Sequence, residues 1–255
     1  MDDYIRFYKS IGKLLPEEYL TYYHPGARIR EKFILKHLVN AKEPILDVGC
    51  GSGRLTKNFN VVGIDLSIDK LKTARNRNKR GIYIVGDIEG PIFLKDSVFD
   101  FVLFSEVIEH LRKPEKSLKN IYKTMKQGGK ILITTPHRLR QSNEYLSIRV
   151  LSPFGIKEGV EGKKYLHRNF SSDELKELLE KAGFRLIEIG TIENELRGWG
   201  KLALLLRRFP QIYWKFSSTY LNFIYDFLQD TGLIKIQKKL FKKGVRLYAL
   251  AEKHM

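Results

Sequence analysis

Three glycines alternate with other residues after a short strand-like run that ends at Val48. Gly49, Gly51 and Gly53 can bring the backbone close to a ligand, because glycine lacks the Cβ atom that would stand in the way. A helix that begins after such a turn offers unpaired N–H groups and the positive end of its dipole. The spacing therefore predicts a ligand-binding loop at the carboxyl end of a strand in an open sheet.

Two carboxylates restrict the kind of ligand. Asp47 precedes the first glycine by two positions, where it would repel a dinucleotide pyrophosphate but can help hold an ammonium group. Asp65 ends the next strand-like run, and a carboxylate there can accept hydrogen bonds from both hydroxyls of a ribose. The spacing G-x-G-x-G also differs from the G-x-G-x-x-G of NAD-binding folds. An ordinary turn with a solvated Asp65 explains this joint pattern less well than a nucleoside ligand does.

Short apolar runs alternate with amphipathic stretches from residue 28 to residue 190. The runs are rich in β-branched and aromatic residues, and most are bounded by glycine, proline or aspartate, as buried strands are. We predict strands at 45–48, 61–65, 82–85, 99–104, 130–134, 184–190 and 245–251, and helices at 28–40, 68–77, 114–125 and 172–182. The alternation predicts an α/β protein with a mostly parallel sheet and helices on both faces.

Further motifs follow these strands in a fixed order along the chain. They lie at residues 63–67, 86–88, 99–111, 128–136 and 169–184. Together with residues 45–53, they resemble the successive motifs of class I S-adenosylmethionine-dependent methyltransferases. The resemblance is greatest to the broad group that contains the ubiquinone-biosynthesis O-methyltransferases.

The resemblance implies a methyltransferase that binds S-adenosylmethionine. It also implies a Rossmann-like sheet of seven mostly parallel strands, in which the last strand is antiparallel and a helical insertion separates strands six and seven. Asp87 would contact the amino group of the adenine. The cofactor-binding residues that we expect are Asp47, Gly49, Cys50, Gly51, Gly53, Asp65, Leu66, Asp87, Ile88 and Ser105.

Two histidines are candidates for a catalytic base, which is needed only if the acceptor is protonated at the working pH. His110 follows the fourth strand and His137 follows the fifth, so we expect both near the ligand edge of the sheet. A surface or helix-capping histidine explains either residue better from sequence alone. The sequence therefore does not identify the catalytic group.

An alternative interpretation is that Glu106, Glu109 and His110 bind a metal ion, with His167 as a fourth ligand. A similar set binds a divalent metal in small-RNA 2′-O-methyltransferases and in some ubiquinone-pathway enzymes, and these mixed ligands suit such an ion. The same residues also occur in family members without a metal. There Glu106 borders the cofactor, and Glu109 faces solvent or caps a helix. We expect no metal.

Three parts are expected along the chain. Residues 1–27 form an aromatic N-terminal arm, residues 28–195 and 244–255 form the methyltransferase core, and residues 196–243 form a helical cap. An arginine of the arm region, at position 28 or 30, could pair with the cofactor carboxylate, although helix packing explains this region equally well. In the cap, the apolar residues from Trp199 to Phe209 recur at helical spacing, and Pro210 should interrupt that helix before a second one.

Composition bears on partners and location. The formal net charge is +17, and about half of it lies from residue 196 onward. A basic surface attracts anionic lipid or RNA, or it simply keeps the protein soluble. The single cysteine, Cys50, cannot form an internal disulfide, so we expect a cytoplasmic protein with peripheral membrane contact left open.

Three functions remain open at this stage. Methyl transfer to a lipophilic small molecule is favoured, because an aromatic, leucine-rich insertion with basic residues can roof an apolar pocket or lie in a membrane interface. Methyl transfer to RNA is supported by charge alone, since no recognisable RNA-binding module is present. The completeness of the cofactor motif weakens the third function, which is cofactor binding without catalysis.

Overall fold

The computed structural model describes residues 2–15, 24–91, 94–138, 144–197 and 209–254. The strands are β1 (Ile45–Val48), β2 (Val61–Asp65), β3 (Ile82–Val85), β4 (Phe99–Ser105), β5 (Met125–Pro136), β6 (Tyr145–Ser147), β7 (Lys164–Leu166), β8 (Phe184–Ile192) and β9 (Arg246–Lys253). The helices are α1 (Asp3–Leu14), α2 (Pro25–Leu38), α3 (Ile68–Arg77), α4 (Pro114–Thr124), α5 (Ser172–Lys181), α6 (Pro210–Asp230) and α7 (Ile234–Leu240).

Seven of these strands form one sheet in the order β3-β2-β1-β4-β5-β9-β8, while β6 and β7 form a separate hairpin. The first five strands are parallel to their neighbours, and β9 runs antiparallel to both β5 and β8. The chain builds outward from β1 to β3 and then crosses to β4 on the other side. A crevice therefore opens at the carboxyl ends of β1 and β4. The predicted seven-stranded Rossmann-like sheet, with its antiparallel last strand, is confirmed.

Both faces of the central strands are buried. On one face, Val102 of β4 packs in a large cluster with Leu118 of α4 and Leu179 of α5. On the other face, Leu103 packs with Ile34 of α2. Successive residues of a strand point to opposite faces, so a strand that is covered on both sides needs apolar residues at every position. This explains the continuous apolar runs by which the central strands could be predicted.

Local signals set the helix ends. Ser171 begins α5 with a capping box, in which its hydroxyl and the carboxylate of Glu174 each accept a backbone N–H of the other residue, as the sequence predicts. The helix predicted from residue 28 begins earlier, at Pro25, because Nδ1 of His24 accepts the N–H of Gly26 at 3.1 Å. Proline at the first helical position has no N–H that would be left unpaired.

The N-terminal helix α1 rests on the long connection between β5 and α5. Phe7 and Leu15 share a buried cluster with Ile148 and Leu151 of a 3-10 segment at Ile148–Phe154. The ring of Phe7 also stacks on Tyr165 of β7, with centroids 5.5 Å apart. The connection, which carries no regular element in the sequence prediction, therefore supports the helix that covers the sheet edge.

The insertion between β8 and β9 contains α6 and α7. Leu221 and Leu228, two turns apart on α6, are buried where this helix packs near α2 and the 3-10 segment. The helix begins at Pro210, as expected of a proline that ends any preceding helix, while the predicted stripe from Trp199 to Leu206 lies outside the described residues. Whether the insertion acts as a cap stays a prediction. None of the helices in the described ranges is long and apolar enough to cross a membrane.

Candidate active site

A cavity of about 370 Å³ opens at the carboxyl ends of β1, β2 and β4. The glycine loop after β1 forms one wall, and α1 covers the cavity with Tyr4, Tyr8, Ile11 and Leu15. Most of the residues predicted to hold the cofactor line this space, namely Asp47, Gly49, Cys50, Gly51, Asp65, Leu66, Asp87, Ile88 and Ser105. The structure thus brings together residues from four separate strand ends.

The glycines of the loop have different tasks. Gly49, Gly51 and Gly53 all have positive φ, from 52° to 69°, a region that other residues rarely adopt. A Cβ at Gly49 would lie 2.3 Å from Cγ2 of Val107, so glycine lets the loop approach the chain after β4. Gly53 faces α3, where a Cβ would lie 3.0 Å from Cβ of Ala74. This contact supports a packing role for Gly53, and its predicted contact with the cofactor stays a prediction.

The carboxylate of Asp65 organises the loop. Its Oδ2 accepts the N–H of Gly51 at 2.9 Å, and its Oδ1 accepts the N–H of Ser67 at 2.8 Å. Burial raises the pKa of Asp65, and these backbone donors oppose the rise. Each carboxylate oxygen can accept two hydrogen bonds, so lone pairs remain for the hydroxyls of a ligand.

Asp47 lies deeper, where it is 4% exposed. Its Oδ2 accepts the hydroxyl of Thr56 at 2.8 Å. Burial raises the pKa of Asp47 to about 7, and the bond from Thr56 opposes the rise. An ammonium group in the cavity would stabilise the ionised form of this carboxyl group.

The remaining polar groups of this wall are held by the protein itself. Oδ1 of Asp87 accepts the N–H of Glu89 at 2.9 Å, and the hydroxyl of Ser105 lies 2.8 Å from that of Thr134. Burial, reinforced by the nearby aspartates, raises the pKa of Cys50 above its ordinary range. The thiol therefore stays protonated and is unsuited to nucleophilic chemistry.

A partly buried chain of ion pairs, which the sequence analysis missed, lies beside the cavity. Oε2 of Glu106 lies 3.0 Å from Nη1 of Arg30 and 2.8 Å from Nε of Arg246. Arg30 also lies 3.0 Å from Oε1 of Glu193. Arg30 and Glu106 line the cavity, whereas Glu193 and Arg246 flank the insertion. In the sequence, Glu193 directly follows the apolar pattern of β8, and Arg246 begins that of β9. These charged positions were the only sequence signal for the two residues.

The charges of this network balance. Burial alone would raise the pKa of Glu106, but Arg30 and Arg246 lower it below its ordinary value. Burial raises the pKa of Glu193, and Arg30 opposes the rise. Arg30 and Arg246 are thus matched in number by the carboxyl groups of Glu106 and Glu193, and Arg30 lies 3.0 Å from both.

Three of the four residues weighed as metal ligands lie together. One ligand atom each from Glu109, His110 and His167 lies within 4.8 Å of the other two, whereas Glu106 is held by the arginines. Nδ1 of His167 is buried with no hydrogen-bond partner among the described residues, and burial lowers the pKa of this imidazole to about 3. An orphaned imidazole nitrogen beside a carboxyl group fits a divalent cation. The expectation that no metal is used stays a prediction.

Glu109 differs from its expected position, because it neither faces solvent nor caps a helix. Its side chain is 2% exposed, and its Oε2 accepts the hydroxyl of Thr135 at 3.2 Å. Burial, and next the charge of Glu106, raises the pKa of Glu109 to about 8. The carboxyl group is therefore mostly protonated at neutral pH when no cation is bound.

The geometry separates the two histidines proposed as a base. His110 lines the cavity, and its Nδ1 lies 3.0 Å from the carbonyl oxygen of Leu166. A carbonyl can only accept, so Nδ1 carries the proton and Nε2 keeps a free lone pair. His137 is absent from the cavity lining, and its Nδ1 lies 2.9 Å from the carbonyl oxygen of Gly244. The structure therefore favours His110 over His137.

The strand order, the glycine loop and the half-buried Asp65 define an open α/β fold that binds a nucleoside at the carboxyl ends of its strands. A sequence model of the family described as "Methyltransferase domain" matches residues 23–189. The chain belongs to this family and is a class I S-adenosylmethionine-dependent methyltransferase. The match ends before the insertion begins.

Individual relatives agree with this assignment. The chain is 32% identical to an uncharacterised protein of Methanocaldococcus jannaschii over 145 residues, which are 56% of this chain and 65% of that protein. It is 28% identical to the ubiquinone biosynthesis O-methyltransferase of Coxiella burnetii over 173 residues, which are 63% of this chain and 71% of the relative. The chain thus spans about two thirds of these relatives.

Solved structures show the same fold. An S-adenosylmethionine-dependent methyltransferase of Thermotoga maritima aligns over 96% of this chain and 99% of its own, with a TM-score of 0.59 and 18% identity. Phosphoethanolamine N-methyltransferase 2 of Haemonchus contortus, in complex with S-adenosylmethionine, aligns over 96% of this chain and 56% of its own, with a TM-score of 0.58 and 22% identity. At these identities the likeness concerns the fold.

We expect Asp65→Ala to lower the affinity for S-adenosylmethionine about 10- to 150-fold, because charge-assisted hydrogen bonds contribute about 1.5–3 kcal/mol. Isothermal titration calorimetry measures the change, and wild-type protein should show no binding of NAD. Asp100→Ala is the matched control, since Asp100 pairs with Lys126 at the opposite end of β4. Unchanged affinity in a folded Asp65→Ala protein would show that Asp65 does not hold the ribose.

We expect the affinity for S-adenosylmethionine to rise about tenfold between pH 5.5 and pH 7, because Asp47 must be ionised to hold an ammonium group and burial raises its pKa to about 7. The pKa of Asp47 is raised in the free protein, so proton loss is unfavourable there until the ligand supplies a positive charge. Calorimetry across this pH range tests the expectation. In Asp47→Asn the affinity should no longer rise with pH. An equal rise in that variant would show that another group causes the pH dependence.

Proposed function

We propose that this protein transfers the methyl group of S-adenosylmethionine to a hydroxyl oxygen of an uncharged, lipophilic small molecule. The observation that carries the proposal is the placement of His110 beneath an aromatic cover. The rings of Tyr8 and Tyr165 flank the imidazole at centroid distances of 5.5 and 6.5 Å. The hydroxyl of Tyr8 donates to the carbonyl oxygen of Leu166 at 3.2 Å, and Tyr8 lines the cavity, where its ring can contact an apolar acceptor.

Charge supports an uncharged acceptor. The arginines and carboxylates around Glu106 balance one another, and Glu109 is mostly protonated at neutral pH. Burial lowers the pKa of His110, so this imidazole is neutral as well. On this side of the cavity, a charged acceptor would lose its hydration without gaining an opposite charge that is not already paired.

In the proposed mechanism, His110 accepts the proton of the acceptor hydroxyl. S-Adenosylmethionine, when bound, supplies an electrophilic methyl group and leaves as neutral S-adenosylhomocysteine. The cover formed by α1 excludes water, and the cavity walls align the acceptor oxygen with the methyl carbon. As that oxygen forms its new bond to carbon, its proton passes to the lone pair on Nε2 of His110. His110 then carries the positive charge that the sulfonium has lost.

Relatives favour an oxygen acceptor on a lipophilic molecule. Matched proteins from Coxiella burnetii and from rat are named ubiquinone biosynthesis O-methyltransferases. The rat protein is 30% identical over 168 residues, which cover 48% of its length. From these names we take only the chemical class of the acceptor, a lipophilic molecule with a hydroxyl group. We infer that the protein meets this acceptor at a membrane surface.

A metal-assisted version of the same transfer is the second candidate. It is favoured by the unpaired Nδ1 of His167 beside Glu109. Glu109, His110 and His167 would hold the ion, and a divalent cation there would lower the pKa of the acceptor hydroxyl as a Lewis acid. His110 would then be a ligand and could not accept the proton.

We expect labelled methyl groups from S-adenosylmethionine to enter the lipid fraction of a cell extract and not its RNA or protein fractions. His110→Gln should lower the rate about 10²- to 10⁴-fold, as loss of a general base does, with cofactor affinity unchanged. His137→Gln is the matched control and should keep the wild-type rate. If label appears only in RNA, the acceptor is RNA and the proposed lipophilic acceptor is wrong. If the two variants have equal rates, His110 is not the base.

We expect a chelator to leave the rate unchanged, because the proposed base needs no ion. His167→Ala should then lower the rate far less than His110→Gln does. Activity that is abolished by chelation and restored by Mg²⁺ or Mn²⁺ would support the metal-assisted candidate. Metal content measured on the purified protein serves as an independent control.

A further inference from the structure

The insertion carries an exposed apolar edge on α7. Leu233 directly precedes this helix, and Ile236 and Leu240 lie within it. Their spacings of three and four place the three residues on one side. They are 40%, 55% and 70% exposed. Gln237 is buried, and its Nε2 donates to the carbonyl oxygen of Arg197 at 3.0 Å, which fixes the orientation of the helix. Three apolar side chains are thus held toward solvent.

Lysines accompany this edge. Residues 231–245 contain five lysines and no carboxylate. Lys238 lies 3.1 Å from Oε1 of Glu195. The other four side chains are exposed, and none of them has an ion-pair partner within the described part of the chain; they are Lys235, Lys239, Lys242 and Lys243.

The exposed aromatic residues of α6 lie in a different electrostatic environment. Phe223 and Phe227 are 68% and 50% exposed. Asp226 and Asp230 each lie within three residues of one of them, and Asp226 pairs with Arg28 at 3.3 Å. No lysine or arginine lies within seven residues of either ring along the chain, so an anionic surface is attracted more strongly at α7. The combination of exposed apolar side chains with uncompensated lysines therefore distinguishes α7 from α6.

We propose that residues 233–243 dock this protein on an anionic lipid bilayer. Leu233, Ile236 and Leu240 enter the boundary between headgroups and acyl chains, while the lysines contact the phosphates. RNA would use the lysines but gain nothing from the apolar side chains. This inference rests on the proposed function, because a lipophilic acceptor partitions into the same bilayer. The surface lies outside residues 23–189, which match the family.

Lysines and apolar residues should contribute separately. One lysine near an anionic membrane changes the partition coefficient by a factor of about five. We therefore expect Lys235→Gln combined with Lys239→Gln to lower binding about 30-fold. Ile236→Ser combined with Leu240→Ser should weaken binding even at full charge, since apolar burial does not depend on the lysines.

The test is sedimentation of the full chain with vesicles of phosphatidylcholine that contain roughly 30% phosphatidylglycerol, at physiological salt. We expect binding to these vesicles, much weaker binding to phosphatidylcholine alone, and loss of binding in both double variants. Phe223→Ser is the matched control, because it removes a side chain as exposed as Leu240 and should keep wild-type binding. All variants should bind S-adenosylmethionine normally, which reports an intact core.

Four results would overturn the docking proposal. They are equal binding to neutral vesicles, equal loss in Phe223→Ser, transfer RNA binding through the lysines without vesicle binding, and a dimer that dissociates in Ile236→Ser with Leu240→Ser. Vesicle binding and methyl transfer are read out separately. Binding without transfer would therefore fault the proposed function, and transfer to a lipid extract without binding would fault the docking surface.

Discussion

The active-site edge of this molecule depends on one half-buried carboxylate, Glu106, and the two arginines that hold it. Glu106 has a φ of 56° at the end of β4, directly before the turn that carries His110. Arg30 reaches it from α2 and Arg246 from β9. Arg30 and Glu193 form the buried part of the network, where removing one partner costs about 3–5 kcal/mol. We infer that the network favours this arrangement of α2, β4 and β9, since it pairs all four charges.

The two sides of the cavity differ in how far their contacts reach along the chain. On the cofactor side, Asp65 accepts the N–H of Gly51, which lies fourteen residues away. The segment from β1 through the glycine loop to β2 is enough to form this contact. On the acceptor side, Tyr8 bonds to Leu166 and Arg30 to Glu193, over 158 and 163 residues. The glycine loop and Asp65 are thus set by one supersecondary unit, whereas the acceptor side requires the whole fold.

This difference decides what the sequence could predict. The strands, the capping box and most of the cavity wall follow from local pattern, because glycine, β-branched and capping residues act on their immediate neighbours. The pairing of Glu106 with Arg246 could not be predicted, since no spacing relates residues 106 and 246. Nor could the burial of Glu109, because the same letters occur in exposed turns, and the elements that cover it come from elsewhere. The packing role of Gly53 depends on the close approach of α3 to the glycine loop. The sequence pattern does not reveal this distance.

The position of β9 between β5 and β8 also has a consequence for the order of folding. In the described sheet, β8 has β9 as its only neighbour, yet about 50 residues separate the two strands along the chain. During synthesis at roughly 5–20 residues per second, β8 leaves the ribosome several seconds before its partner exists. Over that interval one edge of β5 and both edges of β8 expose unpaired backbone, which is the kind of template that aggregates. The insertion therefore lengthens the time in which the nascent protein is vulnerable, and its helices must be made while the sheet is still open.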